Sequence, residues 1–120
     1  VRVYTDVSDP EKLLSRSDVF VLPSLTEGSS NALAEAMCFG LACIATDVGG
    51  NADLIQDCGI LIAPKSSGAL YTALARFLAN PDLILNPRKQ SKAKYDILFE
   101  KRKLDNVRFK LYQSAFTRLK

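Results

Sequence analysis

The feature of this sequence that most restricts its fold is a series of short apolar runs, each followed by a turn and a helical pattern. The clearest runs are residues 18–23, 41–46 and 59–63. Uninterrupted apolar runs of this length are typical of strands that are covered on both faces. Strands that alternate with helices at this spacing form βαβ units around a parallel sheet. The pattern therefore predicts an α/β fold, a parallel sheet flanked by helices.

The remaining elements are predicted from local signals. Residues 1–5 alternate between apolar and polar types, which predicts a fourth strand, and Asp9-Pro10 predicts a helix start because proline is favoured at the first helical position. Further helices are predicted over residues 31–39, 52–56 and 67–79, the first of them ended by Gly40. Asn80-Pro81 and Asn86-Pro87 punctuate the start of the C-terminal part, and apolar residues at helical steps between Leu104 and Leu119 predict a long amphipathic helix.

Charge divides the 120 residues into two parts. Residues 1–80 carry 5 basic and 9 acidic side chains, whereas residues 81–120 carry 11 basic and 4 acidic side chains. We interpret residues 1–80 as a partial binding domain and residues 81–120 as basic C-terminal helices of the same domain. Such a basic face is solvated, or it contacts anionic lipid or nucleic acid. The aromatic residues of the tail mostly follow helical spacing, so we expect core contacts and no nucleic-acid partner.

The absence of histidine excludes several kinds of chemistry from this chain. A Ser–His–Asp or Cys–His nucleophile system and a histidine-ligated zinc ion are both impossible within it. Three cysteines, Cys38, Cys43 and Cys58, lie in apolar surroundings without a CxxC pattern, which favours buried thiols in a reducing cytoplasm. These thiols predict a cytoplasmic location. No apolar stretch approaches the roughly 20 residues that span a bilayer.

The turn formed by residues 24–30 is the most informative segment for function. Ligands of open α/β sheets bind beyond the carboxyl ends of the strands. Gly28, Ser29 and Ser30 stand directly before a predicted helix capped by Ser30 or Asn31, and the start of a helix attracts anions. The turn contains neither a P-loop nor a GxGxxG pattern. It predicts an anion site suited to a diphosphate, with plain helix capping as the alternative that the pattern leaves open.

Two glutamates flank this turn. Glu27 lies within it, and Glu35 lies four residues beyond Asn31 and therefore on the same helix face. A carboxylate accepts hydrogen bonds from two neighbouring hydroxyls, so each glutamate could hold a sugar diol of one ligand. Two solvated surface side chains are the alternative for this spacing.

The segment EGSSNALAE, from Glu27 to Glu35, resembles the E-x7-E motif of the retaining GT-B glycosyltransferases of family four, the glycosyl transferases group 1. DVFVLPS before it and AMCFGLACIATDVGG after it resemble the same family, as do NADLI and GILIAP. The resemblance covers residues 1 to about 80 in order and register. It implies a Rossmann-like nucleotide-sugar-binding domain, the truncated C-terminal half of a GT-B fold, with a helical C-terminal tail.

The resemblance also implies roles for individual residues. Glu27 would approach the donor hexose and is the candidate for a catalytic role, with positioning of the sugar its expected task. Glu35 would hold the ribose hydroxyls, and backbone amides around the turn would meet the hexose and the diphosphate. The implied substrate-binding residues are Val7, Ser8, Asp9, Glu27, Gly28, Ser29, Ser30, Asn31, Ala32 and Glu35. The donor would be a UDP-, GDP- or ADP-sugar, with the turn at Val7–Asp9 beside the base, and neither a metal site nor a cofactor is implied.

The sequence departs from the family pattern in places. Ser29-Ser30 replaces the usual aromatic–glycine pair, Leu41-Ala42 stands where proline is common, and Asp53 replaces a usual glutamate. Because the chain starts at Val1 without methionine, we expect a fragment that is inactive in isolation. The family's arginine and lysine for the diphosphate and its N-terminal acceptor domain would lie upstream.

The resulting prediction is a retaining hexosyltransferase that uses a nucleoside-diphosphate sugar. Its acceptor would be a glycan, a lipid-linked sugar or a small molecule. A non-catalytic nucleotide-sugar-binding subunit or sensor is the alternative, because its motif would look the same. The basic tail adds the expectation of weak peripheral contact with the inner face of a membrane.

Overall fold

The computed structural model describes residues 1–28, 30–55 and 58–102. Within them, three strands form one parallel sheet in the order β1 (Val19–Leu22), β2 (Ala42–Thr46) and β3 (Gly59–Ile62). The helices are α1 (Pro10–Leu14), α2 (Asn31–Cys38), α3 (Asn51–Ile55), α4 (Ser67–Ala79) and α5 (Asp82–Arg102). The predicted α/β class, a parallel sheet flanked by helices, is confirmed.

The central strand β2 carries the core on both of its faces. All five of its residues are buried, and its register places Cys43 opposite Phe20 of β1 and Gly59 of β3. Cys43 and Ala45 pack in one cluster with residues of α2 and α3, whereas Ala42 and Ile44 pack in a second cluster with residues of α4. Burial on both faces explains the uninterrupted apolar sequence of this strand.

Helix ends follow the local signals closely. Asp9 caps α1 by accepting a hydrogen bond from the Lys12 amide at 3.2 Å, with Pro10 as the first helical residue. Gly40 follows α2 with a φ of 71°, the left-handed conformation that glycine adopts readily at a helix end. Helix α4 has the predicted bounds. Helix α3 starts at Asn51, one residue before its predicted start, and its predicted last residue, Gln56, lies outside the described residues.

The predicted strand over residues 1–5 is wrong. These residues form no strand and are exposed, with Val1 and Val3 open to solvent. An extended segment becomes a strand only when a neighbour accepts its ladder of hydrogen bonds. Residues 1–5 pair with none of the three described strands, so the described sheet has three strands instead of about four.

Helix α5 runs through Pro87, although the sequence predicted an interruption at Asn86-Pro87. An interior proline cannot donate the backbone hydrogen bond of its position, and α5 nevertheless continues beyond Pro87. Ser91 of α5 is fully buried, and its hydroxyl donates to the Cys58 carbonyl oxygen at 3.0 Å. The predicted amphipathic helix between Leu104 and Leu119 lies outside the described residues. In the part of the chain that the structure describes, no helix is long and apolar enough to cross a membrane.

The three cysteines are buried and form no disulfide bond with one another, as predicted. Burial raises the pKa of the Cys43 thiol from its ordinary 9.0 to about 12. A hydrogen bond with Ser91 acts in the opposite direction, and the neighbouring Cys58 thiol adds to the rise. Cys43 is therefore a protonated, apolar side chain at neutral pH.

Candidate functional site

Three loops meet at the carboxyl edge of the sheet, where ligands of open α/β sheets bind. They follow β1, β2 and β3 and comprise residues 23–30, 47–50 and 63–66. The Asp47 amide donates to the Ile62 carbonyl at 2.8 Å, and the Gly50 amide donates to the Gly28 carbonyl at 3.0 Å. The loop that contains Glu27 is therefore joined to the turn after the central strand.

Helix α2 starts at this edge because Ser30 caps it. The Ser30 hydroxyl accepts a hydrogen bond from the Leu33 amide at 3.1 Å, and the side chain is only 3% exposed. Of the two predicted caps, Ser30 is thus the one used. Asn31 and Ala32, in the first turn, are exposed, so the positive end of the helix dipole faces solvent. Ser29, a predicted contact residue, lies outside the described residues.

The Glu27 carboxylate is held by a neighbour in its own loop. The Ser24 hydroxyl donates a hydrogen bond to Glu27 Oε1 at 2.6 Å, and both residues are half-buried. The Ser24 carbonyl in turn accepts a hydrogen bond from Thr46 Oγ1, also at 2.6 Å. Thr46 ends β2 and is 2% exposed. The loop is therefore anchored to the core strand at Ser24.

The next residue of this network is Asn51, at the start of α3. Its side-chain amide donates to the Thr46 carbonyl at 2.9 Å, and the residue is fully buried. Its Oδ1 atom has no hydrogen-bond partner among the described residues. Asn51 thus links the start of α3 to the last residue of β2.

Gly49 brings the turn after β2 against the backbone of Glu27. Its φ of 52° is left-handed, and a Cβ atom at this position would overlap the Glu27 carbonyl oxygen. A side chain at Gly50 would also be tight, since its Cβ would lie 3.1 Å from the Gly28 carbonyl oxygen. The DVGG sequence was part of the family resemblance, but local reasoning did not reveal this contact.

The other predicted contact residues are distributed as follows. Glu35 lies on α2, half-buried and one turn beyond Asn31. Gly28 is exposed beside Glu27, and no atom would obstruct a Cβ there within 4 Å. Val7, Ser8 and Asp9 form an exposed turn of their own before α1, and the Asp9 carboxylate caps that helix.

A cavity of about 330 Å³ also opens at the carboxyl edge, between the loops after β1 and β3, the end of β2 and α4. Leu25, Ile62 and Leu70 supply apolar lining, and Thr46, Lys65 and Ser66 supply polar lining. Thr46 therefore lines the cavity and also bonds the loop that contains Glu27. Sequence reasoning did not find this cavity, because it depends on the approach of two loops, a strand end and a helix that are distant in sequence. Among the described residues, no three His, Cys, Asp or Glu side chains are grouped so as to hold a metal ion.

These features define a Rossmann-like α/β domain in which a helix start and a carboxylate share the carboxyl edge of a parallel sheet. The family model for "Glycosyl transferases group 1" matches residues 1–80. The chain belongs to the glycosyl transferases group 1 family, as the E-x7-E resemblance predicted.

Relatives of this chain include a galactosyltransferase and a sucrose-phosphate synthase. It is 40% identical over 81 residues to the UDP-Gal:alpha-D-GlcNAc-diphosphoundecaprenol alpha-1,3-galactosyltransferase of Escherichia coli, covering 66% of this chain and 20% of that protein. It is 33% identical over 88 residues to sucrose-phosphate synthase 4 of Arabidopsis thaliana, covering 71% of this chain and 8% of that protein. The chain thus spans a fifth or less of the length of these relatives.

A solved sucrose-phosphate synthase from Thermosynechococcus elongatus has the same fold. It superposes with a TM-score of 0.71 at 29% identity, covering 88% of this chain and 27% of that one. The expected fold, part of a GT-B glycosyltransferase, is therefore confirmed. The division at residue 80 and the roles of the individual site residues stay predictions.

Proposed function

We propose that the protein to which this chain belongs transfers a hexose from a nucleoside-diphosphate sugar with retention of configuration, and that this chain binds the donor. The observation that carries the proposal is the Ser24–Glu27 hydrogen bond of 2.6 Å beside the capped start of α2. It gives the carboxyl edge an oriented acceptor for hydroxyl groups next to a site for an anion. A sugar joined to a diphosphate has both of these groups.

The diphosphate would lie at the start of α2. The first amide groups of a helix have no acceptor within the helix, and its dipole favours negative charge there. Gly28 and Ser30 are small enough for the ligand to approach the backbone, and Asn31 and Ala32 are exposed at the surface. Ser29 would add its backbone amide.

The two glutamates would hold the two sugars of the donor. Glu27 would accept hydrogen bonds from the hexose hydroxyls, and Glu35, one turn into α2, would accept them from the ribose. The turn at Val7–Asp9 would contact the base largely through its backbone, because the Asp9 carboxylate already caps α1.

Retention requires the diphosphate to leave and the acceptor hydroxyl to arrive on the same face of the hexose. The helix dipole offsets part of the negative charge that develops on the departing diphosphate, and basic side chains elsewhere in the protein would offset more. In this proposal neither a metal ion nor a cofactor takes part. Glu27 touches the reacting sugar, orients it and does not act as a base.

The acceptor would be a glycan, a lipid-linked sugar or a small molecule. The Escherichia coli relative is named for an acceptor sugar joined to diphosphoundecaprenol, a lipid-linked substrate. A lipid-linked acceptor would suit a cytoplasmic protein whose basic C-terminal helices touch the inner face of a membrane.

The test uses the intact protein with Glu27→Gln and Glu35→Gln. Saturation-transfer NMR with UDP-glucose, UDP-galactose, GDP-mannose and ADP-glucose measures donor binding, and sugar release measures turnover. Hydrogen bonds to a charged group contribute about 1.5–3 kcal/mol, so we expect each variant to bind the preferred donor about 10- to 150-fold more weakly. Glu27→Gln should spare binding of the free nucleoside diphosphate, whereas Glu35→Gln should weaken it.

The matched control is Asp96→Asn. Asp96 is exposed on α5. This helix bonds the Cys58 carbonyl through Ser91, next to the amino end of β3, whereas the proposed site lies at the carboxyl edge of the sheet. We expect unchanged donor binding in this variant. Unchanged donor binding in both glutamate variants would refute the proposal, and donor binding without any transfer would favour the non-catalytic sensor.

A further inference from the structure

A continuous series of hydrogen bonds connects the core of the domain to the Glu27 carboxylate. Asn51 Nδ2 donates to the Thr46 carbonyl at 2.9 Å, and Thr46 Oγ1 donates to the Ser24 carbonyl at 2.6 Å. The Ser24 hydroxyl completes the series by donating to Glu27 Oε1 at 2.6 Å. The first two steps join different elements, α3 to β2 and β2 to the loop after β1, and the last step lies within that loop.

The series is rigid at one end and exposed at the other. Asn51 and Thr46 are almost fully buried, and Thr46 belongs to a strand with no exposed residue. Glu27 is half-buried, and Leu25 in the same loop is largely exposed. The hydrogen bond from the Ser24 hydroxyl is the described contact that orients the Glu27 carboxylate.

The geometry leaves the carboxylate available to a ligand. An ionised carboxylate has about four acceptor sites on its two oxygens, and Ser24 occupies one of them on Oε1. A hydroxyl bond to a charged acceptor is among the stronger hydrogen bonds in proteins. A carboxylate that is already oriented loses less rotamer entropy when a ligand binds.

The backbone of Glu27 is held separately from its side chain. Gly49 lies against the Glu27 carbonyl, and the Gly50 amide bonds the Gly28 carbonyl at 3.0 Å. With its backbone held by this turn, the side chain retains rotation about its own bonds. Ser24 restricts that remaining freedom.

We propose that Ser24 is a positioning residue that orients the Glu27 carboxylate toward the hexose of the donor, with Thr46 positioning Ser24 in turn. This inference rests on the proposed role of Glu27 in sugar binding. Because Ser24 acts through Glu27, it contributes to binding of the hexose and does not contribute to binding of the nucleotide. Its loss should therefore reduce the preference for a nucleotide sugar over the matching nucleoside diphosphate.

The experiment measures that preference in the intact protein. Dissociation constants are compared for UDP-glucose and UDP, for GDP-mannose and GDP, and for ADP-glucose and ADP. For the preferred pair, we expect Ser24→Ala to lower the preference roughly 10-fold, the lower end of the effect of losing a bond to a charged group. Ser24→Thr keeps the hydroxyl and should stay within about 2-fold, given the spread of such effects. Ser15→Ala, which removes an exposed serine hydroxyl at the end of α1, should change nothing.

A double-mutant cycle with Glu27→Ala separates positioning from other effects of the substitution. If Ser24 acts through Glu27, Ser24→Ala should have little further effect on the preference in the Glu27→Ala background. An undiminished effect there overturns the inference, and so does an unchanged preference in Ser24→Ala alone. If the Glu27 variants themselves leave the preference unchanged, the proposed function of Glu27 has failed, which is a distinct result.

Thr46 provides a second test that does not depend on how well Ser24→Ala folds. Thr46→Val removes the hydroxyl that bonds the Ser24 carbonyl and keeps the branched shape of the side chain, whereas Thr46→Ser keeps the hydroxyl. We expect a lower sugar preference in Thr46→Val and a preserved one in Thr46→Ser. Equal preferences in these two variants would overturn the second step of the series.

Discussion

The carbonyl oxygen of Glu27 lies so close to Gly49 that a Cβ atom on this glycine would overlap it. The two residues belong to loops that follow different strands, β1 and β2. The adjacent hydrogen bond from the Gly50 amide to the Gly28 carbonyl joins the same loops. The turn after β2 therefore forms one wall against which the Glu27 loop rests, and it admits no side chain at its tip.

This contact predicts that Gly49→Ala displaces the Glu27 loop and destabilises the domain. The new methyl group would overlap a backbone atom of Glu27. In addition, the φ of 52° at this residue is a left-handed conformation that alanine adopts at a cost in free energy. We expect a loss of about 1–3 kcal/mol in the free energy of unfolding, measured by urea denaturation of the intact protein. Donor binding should weaken in the same variant.

Gly68→Ala is the control for this substitution. Gly68 lies in α4, where a Cβ would meet no atom within 4 Å, and alanine is favoured over glycine within helices by up to about 1 kcal/mol. We expect this variant to be neutral or more stable. Equal losses in Gly49→Ala and Gly68→Ala would show that the contact with Glu27 is unimportant.

Elements that depend on neighbouring residues were predictable from the sequence. The apolar runs gave β1, β2 and β3, and Ser30 was one of two predicted caps for α2, because strand periodicity and helix capping are local properties. Membership of the glycosyltransferase family was also readable from Glu27 to Glu35. The roles of these two glutamates in donor binding stay predictions.

Features that depend on distant residues were not predictable. The alternation in residues 1–5 reports strand propensity, but strand formation needs a pairing partner. Pro87 was expected to interrupt helical structure locally, but α5 is continuous through it. Ser91 of this helix is held by its hydrogen bond to the Cys58 carbonyl. The contact of Gly49 with Glu27 and the bond from Thr46 to Ser24 each join residues 22 positions apart. A single sequence carries no local signal for such contacts.

The cap of α2 leads to a second prediction. Ser30→Ala removes the acceptor of the Leu33 amide, and loss of an N-cap costs about 1 kcal/mol. Ser66→Ala removes the equivalent cap of α4, where the serine hydroxyl accepts from the Ala69 amide at 3.1 Å. We expect both variants to lose similar stability in urea denaturation.

Donor binding should distinguish the two caps. Ser30 starts the helix that we propose to hold the diphosphate, so Ser30→Ala should weaken binding of UDP, GDP or ADP as well as stability. Ser66→Ala should leave nucleotide binding unchanged, and Ser30→Asp should restore the stability because aspartate is an equally good cap. Equal nucleotide affinities in the two alanine variants would contradict the proposed diphosphate position.

A third prediction concerns Gly59, the first residue of β3. A Cβ atom there would overlap the carbonyl oxygen of Cys43 on β2 and crowd Ile55 of α3. Because both neighbours belong to the core, Gly59→Ala should force the strands apart and cost about 1–3 kcal/mol, the range for overpacking. Urea denaturation measures this loss. Gly28→Ala is a control, since a Cβ there would meet nothing within 4 Å, and a loss of the same size in both would contradict the prediction.

The pKa of Cys43 predicts how stability changes at high pH. Burial raises this pKa to about 12, above the ordinary 9.0 that the thiol regains in the unfolded chain. Below pH 9 both states hold the proton, so this thiol adds no pH dependence. Between pH 9 and 12 the unfolded chain releases the proton and the folded one keeps it, so stability falls by up to about 1.4 kcal/mol per pH unit. Urea denaturation at pH 8, 9.5 and 10.5 measures the slope.

Cys43→Ala isolates the contribution of this thiol from those of the other groups that titrate at high pH. The variant should be less stable at pH 8, because truncation of a fully buried side chain leaves a cavity. Its stability should nevertheless fall less steeply above pH 9, by close to one proton, since the group that titrates differently in the two states is gone. Parallel slopes for the two proteins would mean that the Cys43 thiol ionises equally readily in the folded and unfolded chains, which complete burial opposes.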